Sequence, residues 1–150
     1  MRANYNLPCN IAQTLNIVGD RWTLLILHEI LMGASTFNEI KKGLEGISSN
    51  LLSDRLKYLT DSGLITHSLY SDHPPRYQYT LTESGRDLAP VFNALLTWGR
   101  KHLEKCYKKL VHDTCRHEVE MAYYCSHCQE NVREDELLVL PFDEKEGVSS

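Results

Sequence analysis

One stretch limits this chain more than any other: Gly46-Ile-Ser-Ser-Asn-Leu-Leu-Ser-Asp-Arg-Leu-Lys-Tyr-Leu-Thr-Asp-Ser-Gly-Leu-Ile65. Ser48 or Ser49 suits the cap of a helix, Leu52, Leu56 and Leu59 recur at helical spacing, and Gly63 closes the segment. The spacing predicts a short amphipathic helix. Its other face carries Ser49, Asn50, Ser53 and Lys57, with Asp54 and Arg55 beside them. Short polar side chains let a backbone approach base edges while Lys and Arg meet phosphates, so the face suits a major groove. Taken alone, the same face also suits plain solvation.

What flanks the stretch narrows the choice. Leu64 to Tyr70 alternates apolar and polar residues, Ser71-Asp-His-Pro-Pro75 breaks the run, and Arg76 to Leu81 resumes it with Tyr77 and Tyr79 two apart. A hairpin directly after a helix is expected. Upstream, Gly33-Ala-Ser-Thr-Phe37 forms a turn and a cap, then Phe37, Ile40 and Leu44 point inward while Asn38, Lys41 and Lys42 point outward. Helix, helix and hairpin describe a winged helix-turn-helix, mainly α within an α+β class, whose wing tip spans Asp72 to Arg76. Further upstream, Ile11, Leu15 and Val18 predict a first helix from near Asn10 to Gly19. Asp20 then caps a second, from Arg21 to about Met32, whose Trp22, Leu24, Leu25, Ile26, Leu27, Ile30 and Leu31 are apolar nearly all round. That helix belongs in the middle of a core.

After the wing, Thr82 caps a helix that starts at Glu83 and that Pro90 interrupts early. Beyond Pro90, the residues Val91, Leu95, Trp98, His102 and Cys106 fall near one stripe, widened by Phe92, Leu96 and Leu103, as far as about Leu110. So broad an apolar surface on a helix of roughly twenty residues exceeds what a small body covers, and dimerisation is its natural use. The alternative is a monomer on which the stripe folds back.

Length and charge bound the organisation. A chain of 150 residues with 42% hydrophobic residues buries one core and leaves an appendage. Net charge is −4, but residues 1–111 carry 13 Lys and Arg against 10 Asp and Glu, whereas residues 112–150 carry 3 against 10. Affinity for DNA depends on local neutralisation of phosphates, so a mildly basic body can bind while an acidic appendage faces away. The expected division is 1–111 as DNA-binding and dimerisation domain, 112–140 as a Cys/His-rich extension and 141–150 as a disordered acidic tail. The sequence has neither an apolar run of membrane-spanning length nor a secretory leader at its start, which points to the cytoplasm.

Several motifs together resemble one family. Asn10-Ile-Ala, Gly19-Asp-Arg-Trp-Thr-Leu-Leu-Ile-Leu, Phe37-Asn-Glu-Ile, Gly46-Ile-Ser, Leu51-Leu-Ser-Asp-Arg-Leu-Lys, Gly63-Leu-Ile, Pro74-Pro-Arg-Tyr-Gln-Tyr-Thr-Leu-Thr and Gly85-Arg-Asp-Leu are similar, in register from about Cys9 to Gly99, to the HxlR family of bacterial transcription regulators. The resemblance implies a MarR-like winged helix that binds duplex DNA as a homodimer through its long C-terminal helix. In that reading Ser48, Ser49, Asn50 and Ser53 meet bases. Lys57, Arg55, Lys41 and Lys42 meet phosphates, with Thr36 and Asn38 on the same support helix, while Arg76 and His73 reach the flanking groove. Arg55 sits at a position that supports the fold as much as the contact.

Five cysteines in a reducing compartment point to thiol or metal chemistry rather than a disulfide scaffold. Cys9 stands at the N-terminal boundary of the first helix, where the helix dipole favours a thiolate. The resemblance implies that such a cysteine answers electrophiles or oxidants such as quinones, aldehydes and hypochlorite; a small packing residue is the alternative. Cys106, beside Lys105 and Lys108 on the long helix, reads as dimer packing, with a second reactive thiol as the alternative. His112-Asp-Thr-Cys115 and Cys125-Ser-His-Cys128 have the spacing of two zinc-ribbon knuckles, with the spacer Val119 to Tyr124 as a hairpin between them. His117 and His127 compete with His112 as fourth ligand, and a redox dithiol or a ribbon without metal competes with structural zinc. An acidic arm is expected over 130–140. Two other functions remain in view: a winged helix that binds protein, and a zinc enzyme, which is disfavoured because three thiolates and a histidine close the site and no general base stands at useful spacing.

Overall fold

The computed structural model describes residues 3–142, and they fall into two compact units that divide between Lys108 and Lys109. The first unit contains α1 (Asn10–Val18), α2 (Thr23–Leu31), α3 (Phe37–Gly43), α4 (Ser49–Asp61), β1 (Ile65–Asp72), β2 (Pro75–Leu81), α5 (Glu83–Arg86) and α6 (Ala89–His102). The second has β3 (Tyr123–Cys125), β4 (Glu130–Val132) and a 3-10 turn at Glu134–Glu136. No helix among the described residues is long and apolar enough to cross a membrane. Of the tail expected to be disordered, residues 143–150 lie outside the described residues.

This is an α+β winged helix. Ile26, Leu27, Ile40, Leu52, Leu56, Leu59 and Ile65 are almost fully buried and tie α2, α3, α4 and β1 into one core. Burial of each such side chain contributes about 1.5–3 kcal/mol relative to exposure. The expected central helix is indeed central, although Leu25 faces outward at 48% exposure because α2 has more apolar faces than one unit covers. The helix starts at Thr23 rather than Arg21, with Trp22 at its N-cap, so Asp20 is not its cap; it holds the preceding turn instead, accepting from the N–H of Trp22 at 3.2 Å and from the hydroxyl of Thr23.

The stretch that opened the reading folds as expected. The Ser48 hydroxyl accepts from the N–H of Leu51 at 3.2 Å and caps α4. At its far end the N–H of Leu64 donates to the Leu59 carbonyl at 3.0 Å and that of Gly63 to Thr60 at 3.1 Å. This paired closure needs a left-handed residue, and Gly63 supplies it with φ of 76°. Strands β1 and β2 pair antiparallel from Ile65 opposite Leu81 to Asp72 opposite Pro75, with an irregularity between Leu69 and Ser71.

Two further expectations, the end of α6 and the tail hairpin, need correction. Helix α6 stops at His102 rather than near Leu110, because Leu103 turns to extended backbone. Continuation would stack Lys101 on Lys105 and Lys105 on Lys109, like charges at helical spacing, with little apolar surface to compensate. In the tail, the hairpin forms around the second knuckle, Tyr123 opposite Val132, so the spacer only supplies its first strand. The acidic arm begins as β4 and then makes a 3-10 turn.

Candidate nucleic-acid interface

Helices α3 and α4 and the wing of β1 and β2 meet at one place. Thr36 caps α3 by accepting from the N–H of Glu39 at 3.3 Å, and the Glu39 carboxylate accepts in return from the N–H of Ser35 at 2.8 Å and of Thr36 at 3.3 Å. These backbone donors hold the Glu39 carboxyl below the usual glutamate range. The wing fastens onto this cap, since the N–H of Tyr79 donates to the Ser35 carbonyl at 2.7 Å and Thr36 bridges Gln78. One rigid joint therefore fixes the start of α3 relative to β2.

Between these elements lies a cleft of about 410 Å³ that Thr36, Asn38, Ser53 and Arg76 share with Tyr70, Tyr77 and Tyr79. The sequence placed those four polar residues on three separate elements, and the fold brings them together. Ser49, Asn50 and Lys57 are exposed on α4, Lys42 is exposed at the end of α3 and Lys41 beside it is half-buried. His73 is exposed at the wing tip. The Ser48 hydroxyl is exposed too but is already engaged as the cap.

Arg55 departs from the group. Leu51, Arg55 and Tyr58 share the opposite flank of α4, where the Arg55 guanidinium lies 3.8 Å from Asp20, 3.5 Å from Asp54 and 5.5 Å from the Tyr58 ring. Its Nε is buried without a hydrogen-bond partner. The Tyr58 hydroxyl donates to the Ile17 carbonyl at 2.8 Å, so this flank ties α4 to α1 and the α1–α2 turn. Arg55 is thus engaged with the fold, the supporting role that the sequence also offered for it. It also lines a second, open cleft of about 1110 Å³, walled by Tyr5, Leu15, Ile17 and Arg21.

Sequence reading missed the three tyrosines of the first cleft. The alternation of Tyr77 and Tyr79 marks them as one strand face, but only the bridge from β2 to Thr36 shows that the face looks toward α3. His67 packs edge-on against Tyr77 at 5.0 Å and stiffens the wing.

Cys9 occupies the N-cap position of α1 in extended backbone, exposed and without a side-chain capping bond. The arm before it is pinned, because Asn16 Nδ2 donates to the Tyr5 carbonyl at 3.0 Å and Gln13 Nε2 to the Leu7 carbonyl at 2.9 Å. Helix α6 turns Phe92 inward, edge-on to His28 at 5.4 Å, and leaves Leu95 at 55% and Trp98 at 61% exposure. On α1, Ile11 is 72% exposed. Cys106 is exposed beyond the end of α6. In the second unit the Cys115 sulfur lies 3.4 Å from His112 Nδ1, and the Cys128 N–H donates to the Cys125 sulfur at 3.4 Å. Among the described residues no three His, Cys, Asp or Glu side chains are gathered as a metal site.

Comparison with known proteins supplies the family. The profile described as HxlR-like helix-turn-helix matches residues 17–107. An uncharacterized HTH-type transcriptional regulator of Mycobacterium tuberculosis is 38% identical over 126 residues, 82% of this chain and 79% of that protein. A Pseudomonas aeruginosa structure described as a transcription factor superposes with a TM-score of 0.69 at 30% identity and covers 95% of each chain. The reduced form of a protein described as the redox regulator HypR gives a TM-score of 0.58 at 29% identity, over 64% of this chain and 95% of that one. With the profile spanning α4, the wing and α6, the chain belongs to the HxlR-like helix-turn-helix family of transcriptional regulators.

Proposed function

We propose that this regulator acts in the cytoplasm as a homodimer that reads duplex DNA by sequence, with α4 in the major groove and the wing against the flanking groove. The observation that carries the reading is the cleft that gathers Thr36, Asn38, Ser53 and Arg76 beside the exposed Ser49, Asn50 and Lys57. Short polar groups at the centre read base edges, while Lys41, Lys42, Lys57, Arg76 and His73 around them meet backbone oxygens. Exposed Leu95 and Trp98 on α6 and Ile11 on α1 supply the surface through which two copies pair. Pairing fixes the spacing of two recognition helices and hence calls for a two-part operator.

Cys9 is the proposed point of control. It is exposed at the start of α1, and the fold is shared with a structure described as a redox regulator. An electrophile that adds to its sulfur, or an oxidant, would change the arm held by Gln13 and Asn16. The relatives are transcriptional regulators rather than enzymes, which leaves the zinc-enzyme reading without support. Selection of genomic fragments by wild type, Asn50→Ala and Cys9→Ser, each with and without a quinone, tests the whole reading. Wild type should enrich a two-part site and release it on quinone treatment, Asn50→Ala should lose the preference, and Cys9→Ser should keep the site but not the release. A selection without enrichment would leave the protein-binding winged helix as the better account.

A further inference from the structure

The second unit buries no side chain among its described residues, yet its two turns are built alike. In the first, the N–H of Arg116 donates to the His112 carbonyl at 2.8 Å, and Arg116 has φ of 62°. In the second, the N–H of Gln129 donates to the Cys125 carbonyl at 2.8 Å, and Gln129 has φ of 56°. The turns correspond residue for residue: His112 to Cys125, Cys115 to Cys128, Arg116 to Gln129. Two non-glycine residues in left-handed backbone at matching places cost about 1 kcal/mol or more each, and their likeness points to a purpose shared by both turns.

The side chains indicate that purpose. With Zn–S near 2.3 Å and Zn–N of about 2.0–2.1 Å in a tetrahedron, the edge between sulfur and nitrogen is about 3.5 Å. His112 Nδ1 and Cys115 Sγ stand 3.4 Å apart, at that edge. In the other turn the Cys128 N–H points at the Cys125 sulfur, the kind of bond that orients a ligating thiolate. His117 closes the first turn through its backbone, its carbonyl accepting from the His112 N–H at 2.9 Å. His127 lies inside the second turn at the place that Thr114 takes in the first.

We propose that the second unit binds one structural zinc ion through His112 Nδ1 and the thiolates of Cys115, Cys125 and Cys128, two ligands from each turn. The first pair stands at ligand spacing, and the ion draws the two turns into one tetrahedron, with release of three thiol protons to solvent. Four protein ligands leave no open position, so the ion holds the fold rather than performing chemistry. A segment with no buried core is the kind that needs such a cross-link.

The test measures metal content of the purified full chain by mass spectrometry and the visible spectrum of its cobalt form. Wild type, His117→Ala and His127→Ala should carry one zinc per chain, while Cys128→Ser and His112→Ala should lose it at least tenfold. The wild-type cobalt protein should show tetrahedral bands with thiolate charge transfer, a readout that needs no variant to fold. Wild type that takes up no zinc after reduction and refolding with it, His112→Ala that retains zinc, His127→Ala or His117→Ala that loses it, or a cobalt spectrum without thiolate bands would each overturn the assignment. DNA binding enters none of these readings, so their failure is separable from failure of the regulator reading.

Discussion

The two units solve the same problem by different means. The body pays for order with an apolar core in which Ile26, Leu27, Ile40, Leu52 and Leu59 are fully buried, whereas residues 109–142 expose or half-expose every side chain. Leu138, Val139 and Phe142 of the tail are more than three-quarters exposed. Apolar content alone therefore does not make a core; it has to converge, and in the tail only backbone pairing and the two turns do so.

That contrast yields its largest test in the core. Leu52→Ala should destabilise the body by about 2–5 kcal/mol in chemical denaturation while leaving unchanged the zinc content proposed for the second unit. Chelation should do the reverse, opening 109–142 to protease without moving the body's transition; a shared shift would show that the units are not independent. The surface of the body that resembles the tail in exposure comes next. Leu95→Glu with Trp98→Glu should give monomers by sedimentation and weaken operator binding by about 100-fold, since the second half-site no longer benefits from the first.

Smaller effects separate the two flanks of α4. Lys57→Ala should weaken all duplexes alike and lower the salt slope by about 1, while Arg55→Ala should leave that slope unchanged and cost about 1 kcal/mol of stability. The reverse result would return Arg55 to the phosphate contacts. The smallest concerns Glu39, whose carboxyl titrates lower in the folded chain than in the unfolded one. Its contribution is therefore present above the ordinary glutamate range and lost as pH falls through the folded value, and Glu39→Gln should remove that acid-side dependence from denaturation midpoints.

The contrast also explains what the sequence could tell. Helix α4 was legible to its ends because Ser48, the leucine spacing and Gly63 all act locally. The end of α6 was not, since the apolar stripe runs on toward Cys106 while repulsion among the lysines opposes it. The orientation of Arg55 depends on Asp20 and Tyr58, one of them on a distant turn, and the cleft tyrosines depend on a bridge between β2 and Thr36. In the tail the cysteines, the histidines and their spacing were evident, yet the likeness of the two turns required backbone angles that no residue pattern displays, since neither Arg116 nor Gln129 is a glycine.

One titration reaches the central claim most directly: anisotropy of a labelled duplex carrying the selected site, read against full-length protein over a series of salt concentrations. Two chains per duplex, with log affinity falling steeply and linearly as log salt rises and Asn50→Ala abolishing the preference over a scrambled duplex, is the predicted result. Affinity indifferent to salt, or equal for site and scramble in the wild type, would contradict it.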